Sequence, residues 1–260
     1  MVIIEYPIQT FMRDFKDQLV ALDPNFRYRG LNQTRIETFS DAVFAVAFTL
    51  VVLSSAVPET FDELRKSISD ILPSFICIVL IVVIWYQHYI FFLRYGLQNT
   101  KTVTVNTFLL FLVLIYIYPL KFLARFLVEL YSGLIFGMPD NFMDDFGGEM
   151  NSENMTLLMT AYGTGATFIF MAMAWLYRHA YKKREQLELN KYETFTTKVS
   201  LLQNLLMGAI PFLSTMVAFL HPFGHGAWNF GIAGFIYMLY LPVMITFGYL
   251  VDRKTKQLFG

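Results

Sequence analysis

The chain has 260 residues, 56% hydrophobic and 15% charged, with a formal net charge of zero. Soluble domains carry about a quarter charged residues. With a mean hydropathy of +0.49 and 27 Phe and 15 Tyr, this composition excludes a single water-surrounded core. It also gives no overall basic field for nucleic acid.

The chain reads as an all-α, polytopic membrane protein. Its opening, MVIIEYPIQTFMRDF, lacks a basic region followed by a long apolar stretch, so no secretory signal is expected. In residues 8–22, Ile8, Phe11, Phe15, Leu19 and Leu22 recur at helical spacing beside Arg13, Lys16 and Asp17. That pattern fits an amphipathic helix on the inner membrane surface or one packed on an inner rim of the protein.

A spanning helix needs about 20 mostly apolar residues. Stretches free of Asp, Glu, Lys and Arg run 42–58, 71–93, 102–120, 154–177 and 199–251. The last is too long for one crossing, and HPFGHG at 221–226 supplies a turn inside it. Six spans are therefore expected, at 38–57, 72–94, 102–124, 155–178, 198–220 and 228–251. Sixteen of the 20 Lys and Arg then fall on the side of the termini, leaving Arg65, Lys66, Lys121 and Arg125 opposite. By the positive-inside rule both termini are cytosolic. The expected organisation is a cytosolic segment 1–34, a six-helix domain 35–251 and a cytosolic tail 252–260.

The first span carries the least expected chemistry. Thr34 and Glu37 have capping-box spacing and start a helix near Arg35, which sets Asp41 about 9 Å inside its inner end at 1.5 Å per residue. A carboxylate at that depth needs partners. The second span descends to the same level with Trp85 and His88, and the third rises from it with Asn106. Ser40, Asp41, Trp85, His88 and Asn106, with Arg35 above, are expected to form a polar network tying three helices. The alternative is a lone interfacial histidine and an ordinary interhelical asparagine. Val46, Thr49, Leu50 and Leu53 share one face of the first helix. Spacing alone leaves open whether that face packs on neighbours, with Thr49 bonded back to Ala45, or lines a pore.

Elsewhere the signals are blander. The acidic outer connection holds Asp140, Asp144, Asp145 and Glu149, which fit either cation concentration or a solvated loop. YGTGAT at 162–167 suits close helix packing. Cys77 is the one cysteine and reads as a small buried hydrophobe. His221 and His225 at the outer turn lack a carboxylate or cysteine to complete a metal site, and His179 sits in a basic inner run. No cofactor, metal centre or catalytic set is expected, so the chain does not read as an enzyme.

The string Arg35-x-x-x-Phe39-Ser40-Asp41 at the start of a first span resembles the signature of the transmembrane protein 175 family, the endolysosomal potassium channels and their prokaryotic relatives. Trp85-x-x-His88 and Asn106-Thr-Phe-Leu-Leu-Phe with Pro119 beyond are similar to family members too. Six spans match one family repeat, which the resemblance identifies with the prokaryotic form, a homotetramer in the cell membrane.

The resemblance implies that four first helices line a central pore. It places the apolar constriction at Val46, the threonine linked to potassium preference at Thr49 and further apolar layers at Leu50 and Leu53. Relatives usually carry Ile or Leu at the constriction, so Val46 implies a wider ring and weaker dewetting. The expected function is a weakly selective channel for potassium and other monovalent cations, surrounded by membrane lipids. A six-span secondary transporter or proton-coupled carrier is the alternative, although no acidic residue reaches mid-membrane to carry a proton.

Overall fold

The computed structural model describes residues 23–53, 58–136, 152–222, 224 and 227–259, and they are helical throughout their ordered elements. The helices are α1 (Arg35–Leu53), α2 (Phe61–Ser69), α3 (Ile71–Tyr95), α4 (Thr100–Phe136), α5 (Ser152–Lys182), α6 (Lys191–Leu220), α7 (Ala227–Phe235) and α8 (Tyr240–Phe259), with a 3-10 turn at Ile236–Leu239 joining the last two. Six stretches are long and apolar enough to cross a membrane: Arg35–Leu53, Phe61–Tyr95, Thr100–Phe126, Thr156–Lys182, Lys191–Leu220 and Ile232–Phe259.

These six are the spans expected, with shifted ends. The second gains α2 ahead of α3, because FDELRKSIS is an amphipathic helical turn pair rather than a loop. The fifth starts at Lys191, seven residues before the expected 198. The sixth is broken by the 3-10 turn and runs on to Phe259, so most of the expected tail is helix. The N-terminal amphipathic pattern at 8–22, the acidic residues of 140–149, and His225 lie outside the described residues.

Helix ends follow local chemistry. At the start of α1, Thr34 Oγ1 accepts from the Glu37 amide at 3.3 Å and donates to Glu37 Oε1 at 2.8 Å. Helix α6 begins with a full capping box, Asn190 and Glu193 each accepting from the other's backbone. Helix α3 ends at Gly96 with φ 57°, the left-handed cap that glycine permits without a Cβ clash.

The C-terminal end of α3 is closed by the segment before α1. Arg29 and Gly30 donate their amides to the carbonyls of Arg94 and Leu93 at 3.4 and 3.0 Å, taking up carbonyls that a helix end leaves unpaired. Side chains at Gly30 and Gly96 would collide with the Phe92 and Arg29 backbones, so both glycines are needed for this approach. The strap 23–34, the 96–99 and 183–190 connections, and the Phe259 ring against Tyr192 and Phe195 gather at one end of the bundle.

The core sits between α1, α3, α4 and α5. Phe44, Ala47 and Val51 of α1 join Ile81, Phe91, Leu109, Val113, Ile169 and Leu176 in one buried cluster. Cys77, fully buried, belongs to it. Helices α5 and α6 form the most extensively packed pair, brought close where a side chain at Gly163 would strike Thr215. Helix α8 has no buried residue. Outward faces carry exposed Phe75, Phe111, Ile115, Phe212, Leu241 and Ile245, an apolar exterior suited to hydrocarbon.

Candidate functional site

Helix α1 divides cleanly in two. Ser40, Phe44, Ala47 and Val51, spaced four, three and four apart, are buried against α3 and α4. Ala42, Val46, Thr49 and Leu53 have the same spacing and begin two residues later, about 200° round the helix. All four are exposed, Val46 at 52% and Leu53 at 68%. Leu50 lies between the faces, half-buried on the core. Thr49 Oγ1 donates to the Ala45 carbonyl at 2.9 Å. Its proton is thereby engaged, and the oxygen lone pairs are what the exposed face presents.

The N-terminal end of α1 is held by two sets of hydrogen bonds. In the buried set, His88 Nε2 donates to Asn106 Oδ1 at 2.7 Å, and Asn106 Nδ2 donates to Ser40 Oγ at 2.9 Å. Ser40 Oγ donates onward to the Ile36 carbonyl at 2.8 Å. The amide oxygen can only accept, which fixes the His88 tautomer with its proton on Nε2. Ser40, His88 and Asn106 are all at most 2% exposed, and Phe44 and Phe92 pack edge-on or tilted against the imidazole. Three helices thus share one satisfied polar chain.

In the second set Asp41 accepts from Trp85 Nε1 at 2.8 Å and from Gln33 Nε2 at 3.2 Å. The carboxylate borders a cavity of about 230 Å³ that Gly30, Gln33, Glu37, His88 and Tyr89 also line. Of the residues singled out from sequence, the structure brings together Ser40, Asp41, Trp85, His88 and Asn106. It does not bring in Arg35, which is exposed and joins no hydrogen bond among the described residues, or Phe39, which is 61% exposed. Gln33 was missed. Its signal was its place one residue before the Thr34 cap, which lets it fold back over the first turns.

A larger omission lies next to this site. Glu193 is fully buried and accepts from Arg29 Nη2 at 2.7 Å, from the Arg27 amide at 2.8 Å and from the Asn190 amide at 2.9 Å. Arg29 Nε also donates to the Leu187 carbonyl at 2.8 Å. The strap leading into α1 is therefore clamped to the α5–α6 connection. Two further histidines have structural partners: His221, the left-handed cap of α6, shares a 2.9 Å hydrogen bond with Thr156. His179 is stacked on Trp175 and bonded to Asn99.

Known proteins match this arrangement. The model of the family described as "Endosomal/lysosomal potassium channel TMEM175" matches residues 35–117, which hold α1 and every member of the inner network except Gln33. A potassium channel of Marivirga tractuosa is 51% identical over 247 residues, covering 95% of this chain and 99% of that protein. A potassium channel of Chamaesiphon minutus is 35% identical over 104 residues, 36% of this chain and 51% of that protein. The crystal structure of a variant of the potassium channel MtTMEM175, in complex with a nanobody–MBP fusion protein, superposes with a TM-score of 0.81 at 52% identity. It covers 90% of this chain and all of that one. Identity at this level over nearly the full length of a relative places the chain in the TMEM175 family, among its prokaryotic members.

Proposed function

We propose that the chain forms a homotetrameric, potassium-permeable channel in which α1 of each subunit faces a central axis. The observation that carries this reading is the uncovered face of α1. Ala42, Val46, Thr49 and Leu53 stay exposed although the opposite face of α1 is buried on both α3 and α4. A lipid-facing helix at the edge of a bundle has no need of a buried polar anchor, whereas a helix that must hold a fixed rotation about an axis does.

Val46 forms the narrowest apolar ring in this reading, with Leu50 and Leu53 as layers beyond it. Thr49 supplies an acceptor oxygen that favours potassium. Selectivity from one ring of hydroxyls and apolar side chains is modest, because no stack of carbonyls replaces the ion's hydration shell. The relatives of this chain are named as potassium channels, which supports permeant monovalent cations and a function other than catalysis. The inner network acts as a helix-packing anchor. The strap end of the bundle faces the cytosol, in line with the distribution of Lys and Arg. The segment 1–34 and the end of α8 then flank the channel domain on the inner side of a prokaryotic cell membrane.

The test is purified protein in a planar bilayer under opposed potassium and sodium gradients. Ohmic unitary currents reversing part of the way toward the potassium equilibrium potential are expected. Saturating flux coupled to a second solute would instead establish a carrier.

A further inference from the structure

Helices α3, α4, α5, α6 and α8 leave between them a cavity of about 650 Å³, within the range of roughly 300–1,000 Å³ that encloses a small organic molecule. Among the described residues no charged side chain lines it. Tyr116 and Tyr240 do, but their hydroxyls are turned to protein, donating to the Tyr162 and Met207 carbonyls at 3.3 and 2.7 Å. What remains for an occupant is apolar surface. No residue of α1 lines the cavity, so it is separate from the candidate ion path.

Its depth and its mouth narrow the choice of occupant. Ala166, Ile169 and Phe170 lie midway along the span Thr156–Lys182, and Met207 midway along Lys191–Leu220. Ile169 is buried, whereas Leu80 and Val83 of α3 and Leu241 and Ile245 of α8 are exposed. The cavity therefore opens sideways between α3 and α8, onto the same apolar exterior that faces hydrocarbon. Water does not settle in an apolar cavity, and an empty one forfeits the dispersion contacts of its walls. A helix is about 10–12 Å across with its side chains, so one from a neighbouring subunit would cover the mouth and leave the space behind it unfilled. A narrow, flexible hydrocarbon chain fills it.

We propose that this cavity binds the end of a phospholipid acyl chain, which enters from the bilayer between α3 and α8. The hydrocarbon core is about 30 Å thick, which puts mid-depth about 15 Å from either headgroup layer. Only the far part of a long chain reaches the site, and the headgroup stays outside it. Helix α8 packs on α6 and the 3-10 turn and has no buried residue. The bound chain supplies packing to Leu241, Met244 and Ile245 that protein does not.

The test is photocrosslinking of the full-length protein in vesicles of long-chain phosphatidylcholine bearing a diazirine near the end of one acyl chain. Adducts mapped by mass spectrometry are expected on Phe170, Met207 and Met244 in excess of those on outward-facing Phe111 and Phe212. A166F, which adds a ring to the cavity wall, should remove the cavity adducts and leave those on Phe111 and Phe212. L241W narrows the exposed mouth and carries the same comparison should A166F fail to fold. In detergent, long-chain phosphatidylcholine should raise the thermal unfolding midpoint, while dioctanoyl phosphatidylcholine, whose chains stop short of mid-depth, should not. The filled variant should respond to neither.

Adducts confined to Phe111 and Phe212 would show a recess closed to lipid, as a neighbouring subunit packed over its mouth would make it, and would overturn the proposal. Unchanged cavity labelling in A166F or L241W would overturn it too. So would equal stabilisation by the long and short lipids, which share a headgroup and differ only in reach.

Discussion

Arg29 and Glu193 meet at 2.7 Å across 164 residues of sequence, with side-chain exposures of 14% and 1%. A carboxylate so enclosed is tolerable because four donors converge on it, two guanidinium nitrogens of Arg29 and the amides of Arg27 and Asn190. The pair ties the segment entering α1 to the start of α6, so the rotation of the candidate pore helix depends on a hairpin remote from it in sequence.

Breaking this pair from one side should be severe. Arg29→Ala leaves a buried carboxylate with its amides alone, a loss on the order of 3–5 kcal/mol. A fall in the thermal unfolding midpoint of the detergent-solubilised protein is expected. Arg29→Met combined with Glu193→Gln should recover much of that loss, since a buried ion pair replaced at both ends costs far less than one left half-made. Equal midpoints for the single and the double variant would refute this.

The Trp85–Asp41 bond can be tested almost isosterically. Trp85→Phe keeps much of the apolar bulk but removes the indole N–H, leaving Asp41 with Gln33 as its remaining donor. Hydrogen bonds to charged groups contribute about 1.5–3 kcal/mol, so reduced thermal stability is expected. Asp41→Asn in the same background should add little further, because the interaction is already gone. A double-mutant cycle measures the coupling, and zero coupling would remove the bond from the anchor.

Asn106 occupies the middle of the buried chain, donating to Ser40 and accepting from His88. Asn106→Leu strands a buried imidazole N–H and a hydroxyl acceptor together, each costing about 1–3 kcal/mol. Combining it with His88→Phe should be milder than Asn106→Leu alone, because the stranded donor disappears. The comparison is again read from unfolding midpoints.

Much of the inner anchor was legible because its parts obey simple geometry. The Thr34-x-x-Glu37 start fixed the depth of Asp41, and antiparallel crossing fixed the depths of Trp85, His88 and Asn106. Arg35 and Phe39 belong to the same sequence motif yet point away from the anchor, and motif membership alone gives no direction. The clamp of Arg29 on Glu193 has no periodic trace, since it joins a loop to a helix end 164 residues away. The early start of α6 did have a signal, Asn190-x-x-Glu193, but the charges in its first two turns masked the helix from an apolar-run criterion. The bond from Lys121 Nζ to the Val51 carbonyl, 3.1 Å, was hidden for a similar reason: a lysine ends an apolar run whether it faces water or a carbonyl.

On the uncovered face, substitutions should act on ions more than on folding. Thr49→Val keeps shape and removes the acceptor oxygen, so the preference for potassium over sodium should fall with little change in thermal stability. Val46→Leu adds a methylene to each ring position and should lower conductance. Reversal potentials and unitary currents report the two effects separately. A large stability loss in either variant would mean that these side chains pack on protein.

Silver-ion inhibition of cysteine variants along α1 addresses the pore assignment itself. Potassium current in reconstituted V46C and T49C channels should be abolished by silver, while A47C, four residues from the buried Val51 and fully buried itself, conducts unchanged. Inhibition of A47C with V46C and T49C untouched would show that the other face of α1 meets the ions, and no version of the present pore would survive it.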